Sequence, residues 1–356
     1  HIRSRRQRQM CIRDSNILKM KEFVLNNNVK LRPHAKMHKS VDVAKYQIDN
    51  GGAHGICCQK LSEAEIFVRA GIKDILITNQ ITDAFKLERL ANIVSKELKI
   101  GCCVDNEENI INIQKAVERN NSIIDIYIEY DCGANRCGVK SFNEINELIK
   151  IIKKMANLNF IGFQAYNGSI QHIEDHKIRH IEVKNTCNKI RELKANFIKH
   201  SPFITGVGTG CFDLEVNEEV YDEIQVGSYA FMDAHYSSLK HDRKLNNSNN
   251  FENSLFILTG VMSKALQKHA IVDAGLKSIA VDSGLPKTIN SDLEYIKCSD
   301  EHGILADHYN ILKINDKIRL IPGHCDPTCN LHDWYVVVKD TKVIDLWPVS
   351  ARGFSF

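Results

Sequence analysis

Nowhere in this 356-residue chain does an apolar run approach the roughly 20 residues of a membrane span, so no transmembrane segment is expected. The start shows no charged, apolar, then small pattern of a secretory signal. Among 12 cysteines there is no CxxC pair; they fall as Cys57 and Cys58, Cys102 and Cys103, and single positions, mostly inside apolar runs. That usage argues against a disulfide framework and for reduced, buried thiols in a cytoplasmic protein. Excess charge is small, at +3, and nothing invites nucleic acid. Solenoid-period repeats are missing, and low complexity is limited to an Asn-rich patch. What is present is 43% hydrophobic residues over a length that suggests one large domain and a smaller one.

The first 13 residues carry five arginines and no apolar periodicity, and read as a foreign basic segment ahead of the fold. A helical pattern starts at Ser15. Apolar runs that look like buried parallel strands follow at Val29 to Arg32, Gly55 to Cys58, Asp74 to Thr78, Leu98 to Val104, Ile124 to Tyr130, Phe160 to Ala165, Phe203 to Val207 and Glu223 to Tyr229. Amphipathic stretches separate most of them. Eight such units fit a (β/α)8 TIM barrel over 14–238, whose active site belongs at the strand C-termini. Beyond the Asn-rich stretch from Leu239 the pattern becomes short alternating runs: Leu255 to Met262, Ala270 to Asp273, Ile279 to Asp282, Lys317 to Ile321, Trp334 to Val338 and Val343 to Trp347. We expect 239–356 to form a second, mainly antiparallel β domain.

Three constellations carry chemistry. Lys36 follows the first strand, where Pro33 forbids a helix interior; a lysine there faces a pocket mouth and can form a Schiff base with an aldehyde cofactor. Taken alone, it reads as a surface lysine in a basic turn. After strands seven and eight come Gly206-Val207-Gly208-Thr209-Gly210 and Gly227-Ser228-Tyr229, in the loops where TIM barrels hold phosphate. A lysine at one end and a phosphate cradle at the other describe pyridoxal phosphate. In the β domain, His324 and Asp326 alternate in what reads as an extended segment and so share a face, with Cys325 opposite. One imidazole and one carboxylate suit magnesium or manganese with open positions; the competing reading is a turn cluster bonded to its own backbone.

The segments RPHAKMHKS, GICCQKLSEAE, DCGANRCGV, QAYNGS, GVGTG, QVGSYAFMD, VDAGLKSIAVDSG, CSDEHG and PGHCDPTCNLHDWYV resemble the D-threonine aldolase family, which shares the alanine-racemase-type barrel. KMHKSVDV, GSYAFMDA, HCDPTCN and LWPVSARG resemble the members that act on 3-hydroxy-D-aspartate. The resemblance implies a lyase using pyridoxal 5'-phosphate and a divalent metal, acting as a homodimer on a small 3-hydroxy-D-amino acid. It implies cleavage of 3-hydroxy-D-aspartate to glycine and glyoxylate, with D-threonine cleavage as the alternative and dehydration or racemisation behind it. Lys36 matches the Schiff-base lysine, and His324 and Asp326 the metal ligands; related D-serine dehydratases carry cysteine at the Asp326 position. Arg136 matches an arginine against the cofactor's phenolic oxygen, although by itself it reads as a surface ion pair. Tyr166 joins the cofactor contacts, and Gln225 stands near the pyridine nitrogen, where a neutral partner weakens the ring as an electron sink. Gly208, Thr209, Gly210, Gly227, Ser228 and Tyr229 match the phosphate loops. His38, two residues from Lys36, is the candidate proton acceptor; Lys39, Lys60, His172 and Arg352 are the cations available to a substrate β-carboxylate. Three departures stand out: the Arg-rich start where the family has a strand, Val207 in place of a glycine, and Asn167 in place of His or Gln.

Overall fold

The structure, a computed structural model, describes residues 12–239, 251–339 and 341–356. The basic first eleven residues and most of the Asn-rich linker lie outside the described residues. Helix α1 (Ile12–Asn26) begins three residues ahead of the Ser15 start, with Arg13 bound to Asp14 and stacked over Tyr46 and Trp347.

From there strands and helices alternate: β1 (Lys30–Leu31), α2 (Val41–Asp49), β2 (Ile56–Cys58), α3 (Leu61–Arg69), β3 (Asp74–Ile77), α4 (Ala84–Ile93), β4 (Lys99–Val104), α5 (Glu107–Glu118), β5 (Ile124–Glu129), α6 (Phe142–Lys154), β6 (Leu158–Ala165), α7 (His176–Asn196), β7 (Phe203–Gly206), α8 (Phe212–Asn217) and β8 (Glu223–Ile224). The helices start where short polar side chains accept the first free backbone N–H groups: Asp83 for α4, Asn106 for α5, Ser141 for α6 and Asp175 for α7. All eight strands are parallel, in the order β1-β8-β7-β6-β5-β4-β3-β2. Between β1 and β2 the ring is joined by a single bridge, His34 to Cys57, where Cys57 N–H donates to Pro33 O at 2.8 Å and Ala35 N–H to Cys57 O at 2.8 Å. Pro33 has no N–H and serves this narrow seam only as an acceptor, and Ala35 supplies the donor on its side. The barrel is therefore the expected one, except that strand eight ends at Ile224 and Ser228–Ala230 forms a 3-10 turn.

The barrel interior is partly polar. Arg32 is bound to Glu223 (Nε to Oε2 3.0 Å) and to Asp74, while His54 Nε2 and Thr205 Oγ1 complete the shell of Glu223 at 2.8 and 2.7 Å. Burial opposes ionisation of Glu223, yet Arg32 and His54 hold its carboxyl down at about 2. Its stabilisation is therefore full above its ordinary value of 4.5 and is lost as the pH falls toward 2. Arg32→Met should cost about 3 to 5 kcal/mol, because it strands a fully buried carboxylate. Urea unfolding at neutral pH measures this; a loss below about 1 kcal/mol would mean the network carries no net weight.

The second sheet is antiparallel, with β9 (Ile257–Ser263), β10 (His269–Val272), β11 (Lys287–Thr288), β12 (Glu294–Cys298), β13 (Gly303–Ala306) and β14 (Lys317–Ile321) in the order β11-β14-β9-β10-β13-β12. Its small core gathers Ile257, Val261, Val272, Leu305 and Leu320. Helix α9 (Cys325–Cys329) and a separate hairpin, β15 (Trp334–Lys339) with β16 (Lys342–Pro348), follow. Two corrections to the sequence reading arise here. Ile279 to Asp282 is not a strand but irregular chain between two turns, one closed by the Ser278 and Ile279 N–H groups on Gly275 O and the next by Gly284 N–H on Val281 O. β11 and β12 carry too many charged and polar residues to announce themselves, whereas β13 is a four-residue apolar run that the sequence reading passed over. Among the described residues no helix is long and apolar enough to cross a membrane.

Candidate active site

The turn after β1 carries Lys36, two residues beyond the bridge at His34. The C-terminal hairpin and tail grip that turn: Tyr335 Oη donates to His38 O at 2.6 Å and Ala351 N–H to Lys39 O at 2.8 Å. Lys39 sits at φ 49°, a left-handed conformation, and its ammonium is tied to Glu63 at 3.3 Å and Ser355 Oγ at 2.9 Å. Lys36 itself is half-buried, and among the described residues its ammonium makes no hydrogen bond or ion pair. It lies close enough to His34 and His172 to depress both imidazoles, behind the larger effect of their burial.

Across the barrel mouth, the turn after β7 is built on contact. A Cβ on Gly208 would come within 2.5 Å of Gln171 Oε1, and one on Gly210 within 2.0 Å of Gln171 O. Thr209 Oγ1 is buried without a partner. Val207 lies at φ 74°, so the residue replacing a glycine adopts a strained backbone that a β-branched side chain rarely takes. Gly227 is packed the same way: a Cβ there would come within 2.9 Å of His34 O. Closely approached backbone with an unsatisfied hydroxyl fits a bound phosphate. Two expected members of the cradle face elsewhere: Ser228 Oγ donates to Asp326 at 3.3 Å, and the fully buried Tyr229 phenol accepts from Gln47 at 3.2 Å, leaving Tyr229 its backbone.

The other expected residues fall between these poles. The Arg136 guanidinium lies 5.9 Å from the Tyr166 ring centre and 3.7 Å from Glu129, so it is only loosely paired. Gln225 is buried, donating to Gln164 Oε1 and Thr205 Oγ1, both at 2.7 Å. Asn167 has a structural task, bonding Thr186 at 3.0 Å and accepting from Ser169.

His324 and Asp326 do not share an extended segment as read from the sequence. His324 is the extended cap residue and Asp326 lies in the first turn of α9, which Pro327 can enter because a first-turn residue needs no N–H. His324 Nδ1 lies 2.6 Å from Asp282 Oδ2, and a carboxylate can only accept, so in the neutral ring the Nε2 lone pair is left for a ligand. Partial burial works against Asp282 ionising, but this bond holds its carboxyl below the usual range. A carboxylate on the remote nitrogen and a hydroxyl on Asp326 form the outer shell expected of metal ligands. Among the described residues no set of three or more His, Cys, Asp or Glu side chains converges on a metal-sized site.

One residue of this group was misread from the sequence. His172, noted only as a spare cation, stands against His235 at 4.8 Å and Tyr236 at 5.3 Å between ring centres. Partial burial, with His235 and His324 behind it, holds the ring below the usual imidazole range, so it is neutral at pH 7. His38 is set apart: it is fully buried, accepts from Ser40 N–H at 3.1 Å, and burial pushes it down to about 3. Lys39 and Arg352 are committed to Glu63 and Asp333.

Comparison with known proteins supplies the family. The alanine racemase N-terminal domain family matches residues 13–235, and a serine dehydratase domain family matches 254–338. The chain is 46% identical to 3-hydroxy-D-aspartate aldolase of Paracoccus denitrificans (strain Pd 1222) over 96% of this chain and 89% of that protein. It is 40% identical to D-threonine aldolase of an Arthrobacter species over 96% of this chain and 90% of that protein. The crystal structure of D-threonine aldolase from Filomicrobium marinum superposes with a TM-score of 0.92 at 34% identity, covering 98% of this chain and 95% of that one.

Proposed function

The chain belongs to the D-threonine aldolase family of alanine-racemase-type barrels, and from that premise we propose that its substrate is 3-hydroxy-D-aspartate, cleaved to glycine and glyoxylate. It is a carbon–carbon lyase, and its family implies pyridoxal phosphate. The observation that carries the reading is the grouping of a free Lys36 amine, an under-satisfied Gly208–Gly210 turn and the His324–Asp326 pair, backed by the 46% identity.

When bound, the cofactor draws electrons from the substrate's α-carbon, and a divalent ion on His324 and Asp326 acidifies the β-hydroxyl. The protein's own residues do the rest. Lys36 anchors the cofactor and accepts exchange with the substrate amine. Asp282 fixes the His324 tautomer, and Ser228 steadies Asp326. Neutral His172, beside His324 and Asp326, takes the proton that the hydroxyl gives up as the carbon–carbon bond breaks. Arg136, over Tyr166, supplies positive charge at the rim. Gln225 is held by Gln164 and Thr205, which engage both of its N–H groups, so it would bring the ring nitrogen no charged partner. The same reading has the enzyme as a cytoplasmic homodimer; the eleven described cysteines, all free, suit a reducing compartment.

A charged β-carboxylate met by a charge-assisted hydrogen bond gains about 1.5 to 3 kcal/mol over a methyl group. We therefore expect kcat/KM for 3-hydroxy-D-aspartate to exceed that for D-threonine by about ten- to a hundredfold, with no cleavage of L-isomers. Equal or better turnover of D-threonine would reject the β-carboxylate contact and keep the general D-threonine aldolase activity.

A further inference from the structure

The side chains of His324 and Asp326 are held by Asp282 and Ser228, and the backbone between them has a support of its own. Cys325 N–H donates at 2.9 Å to Oδ2 of Asp233, a fully buried residue 92 positions earlier, in the segment after β8. The other oxygen, Oδ1, accepts from Tyr236 N–H at 2.8 Å and closes the short turn Tyr236–Ser238. Next in the chain, Ala234 N–H donates to Pro322 O at 2.9 Å, just ahead of the same pair.

Both bonds have a fixed direction, because a backbone N–H can only donate. Asn or Ser would cap the Tyr236 turn as well as Asp does. Only the tie to Cys325 calls for a side chain with an acceptor for each of two N–H groups. The chain also bends sharply to bring Asp233 here: Met232 sits at φ 55°, a left-handed conformation uncommon outside glycine and asparagine. His235 and Tyr236, in the turn that Asp233 closes, are the rings against which His172 stands. We propose that Asp233 is a positioning residue for the metal donors, its two oxygens tying the peptide between His324 and Asp326 to the turn beside His172. The inference rests on the metal reading above.

A helix as short as α9 does not hold its own first turn. Its buried Cys325 and Cys329 pack it on the barrel core, and Asp233 engages its first N–H. Without that acceptor Cys325 N–H is buried and unpaired, and the turn that aims Asp326 beside His324 loses its fixed point. Partners behind metal ligands are worth about ten- to a hundredfold in metal affinity. Asp233 acts through the backbone that carries both donors, so the same range applies.

The test titrates Mn2+ into the full-length, metal-stripped protein and reads the free ion by electron paramagnetic resonance. Asp233→Ser keeps an oxygen for Tyr236 N–H and gives up Cys325. Its Mn2+ dissociation constant should rise about ten- to a hundredfold, with the cofactor's colour retained. Asp307→Asn is the control: this carboxylate, in the loop after β13, is equally buried and accepts from Ile311 and Leu312 N–H at 2.8 and 3.1 Å. Its loss should lower the melting temperature yet leave Mn2+ binding within about twofold. Wild-type affinity in Asp233→Ser, or an equal loss in Asp307→Asn, would overturn the role of Asp233 alone. Uptake by the wild type no better than by Asp326→Ala would overturn the metal reading and this inference with it. If Asp233→Ser fails to fold, hydrogen exchange of the wild type decides. Added Mn2+ should slow exchange in both 322–329 and 233–238; protection of 322–329 alone, or of neither, overturns the proposal.

Discussion

Lys36→Ala should abolish turnover and remove the yellow, borohydride-reducible adduct of the purified protein. The half-buried amine has no partner among the described residues, and its turn is clamped by Tyr335 and Ala351 from the C-terminal hairpin and tail. An unpaired amine held in place has nothing to release before it meets an aldehyde. The competing amines are already engaged: Lys39 binds Glu63 and Ser355, and Lys189 donates to Cys132 O. Mass spectrometry of the reduced, digested protein locates the linkage. A pyridoxyl group on the wild-type Lys36 peptide is the expected result, whereas a reducible adduct surviving in Lys36→Ala would move the cofactor elsewhere.

The second large effect is expected at Asp326. Asp326→Ala removes one of the two donors proposed for the divalent ion while leaving the glycine turn and Lys36 intact. Lewis-acid stabilisation of a developing alkoxide is worth several kcal/mol, so kcat should fall about a thousandfold with the cofactor's colour retained. Asp326→Cys is the informative companion. A soft thiolate beside His324 favours zinc over magnesium or manganese, so metal preference should shift along with the loss of cleavage. Wild-type turnover by Asp326→Ala, or by chelator-treated wild-type enzyme, would remove the metal from the account.

Much of the barrel was legible because its signals are local. Buried parallel strands such as Cys102 to Val104 read as short apolar runs, and helices such as Phe142–Lys154 keep an unbroken apolar stripe. The glycine turn was legible too, as a loop where backbone can approach an anion, and the structure adds that Gly208 and Gly210 are packed against Gln171. What stayed hidden depends on residues distant in sequence. Asp282 and His324 are 42 positions apart, and Ser228 and Asp326 are 98 apart, so no spacing rule links them. His38 was favoured for its parity with Lys36, but the chain turns after His34 and alternation fails there. His172 follows a short 3-10 turn, and only the fold brings it against His235. The alternating pattern assumed for His324 and Asp326 failed because a helix begins at Cys325, with Pro327 in its first turn.

The most direct test of the central claim is the product balance from 3-hydroxy-D-aspartate in enzyme reconstituted with pyridoxal phosphate and manganese. Carbon–carbon cleavage predicts glycine and glyoxylate in equal amounts, with no ammonia, and loss of both products on chelation. Oxaloacetate with ammonia would mean dehydration, and recovery of the substrate with its α-carbon inverted would mean racemisation; either result would contradict the account.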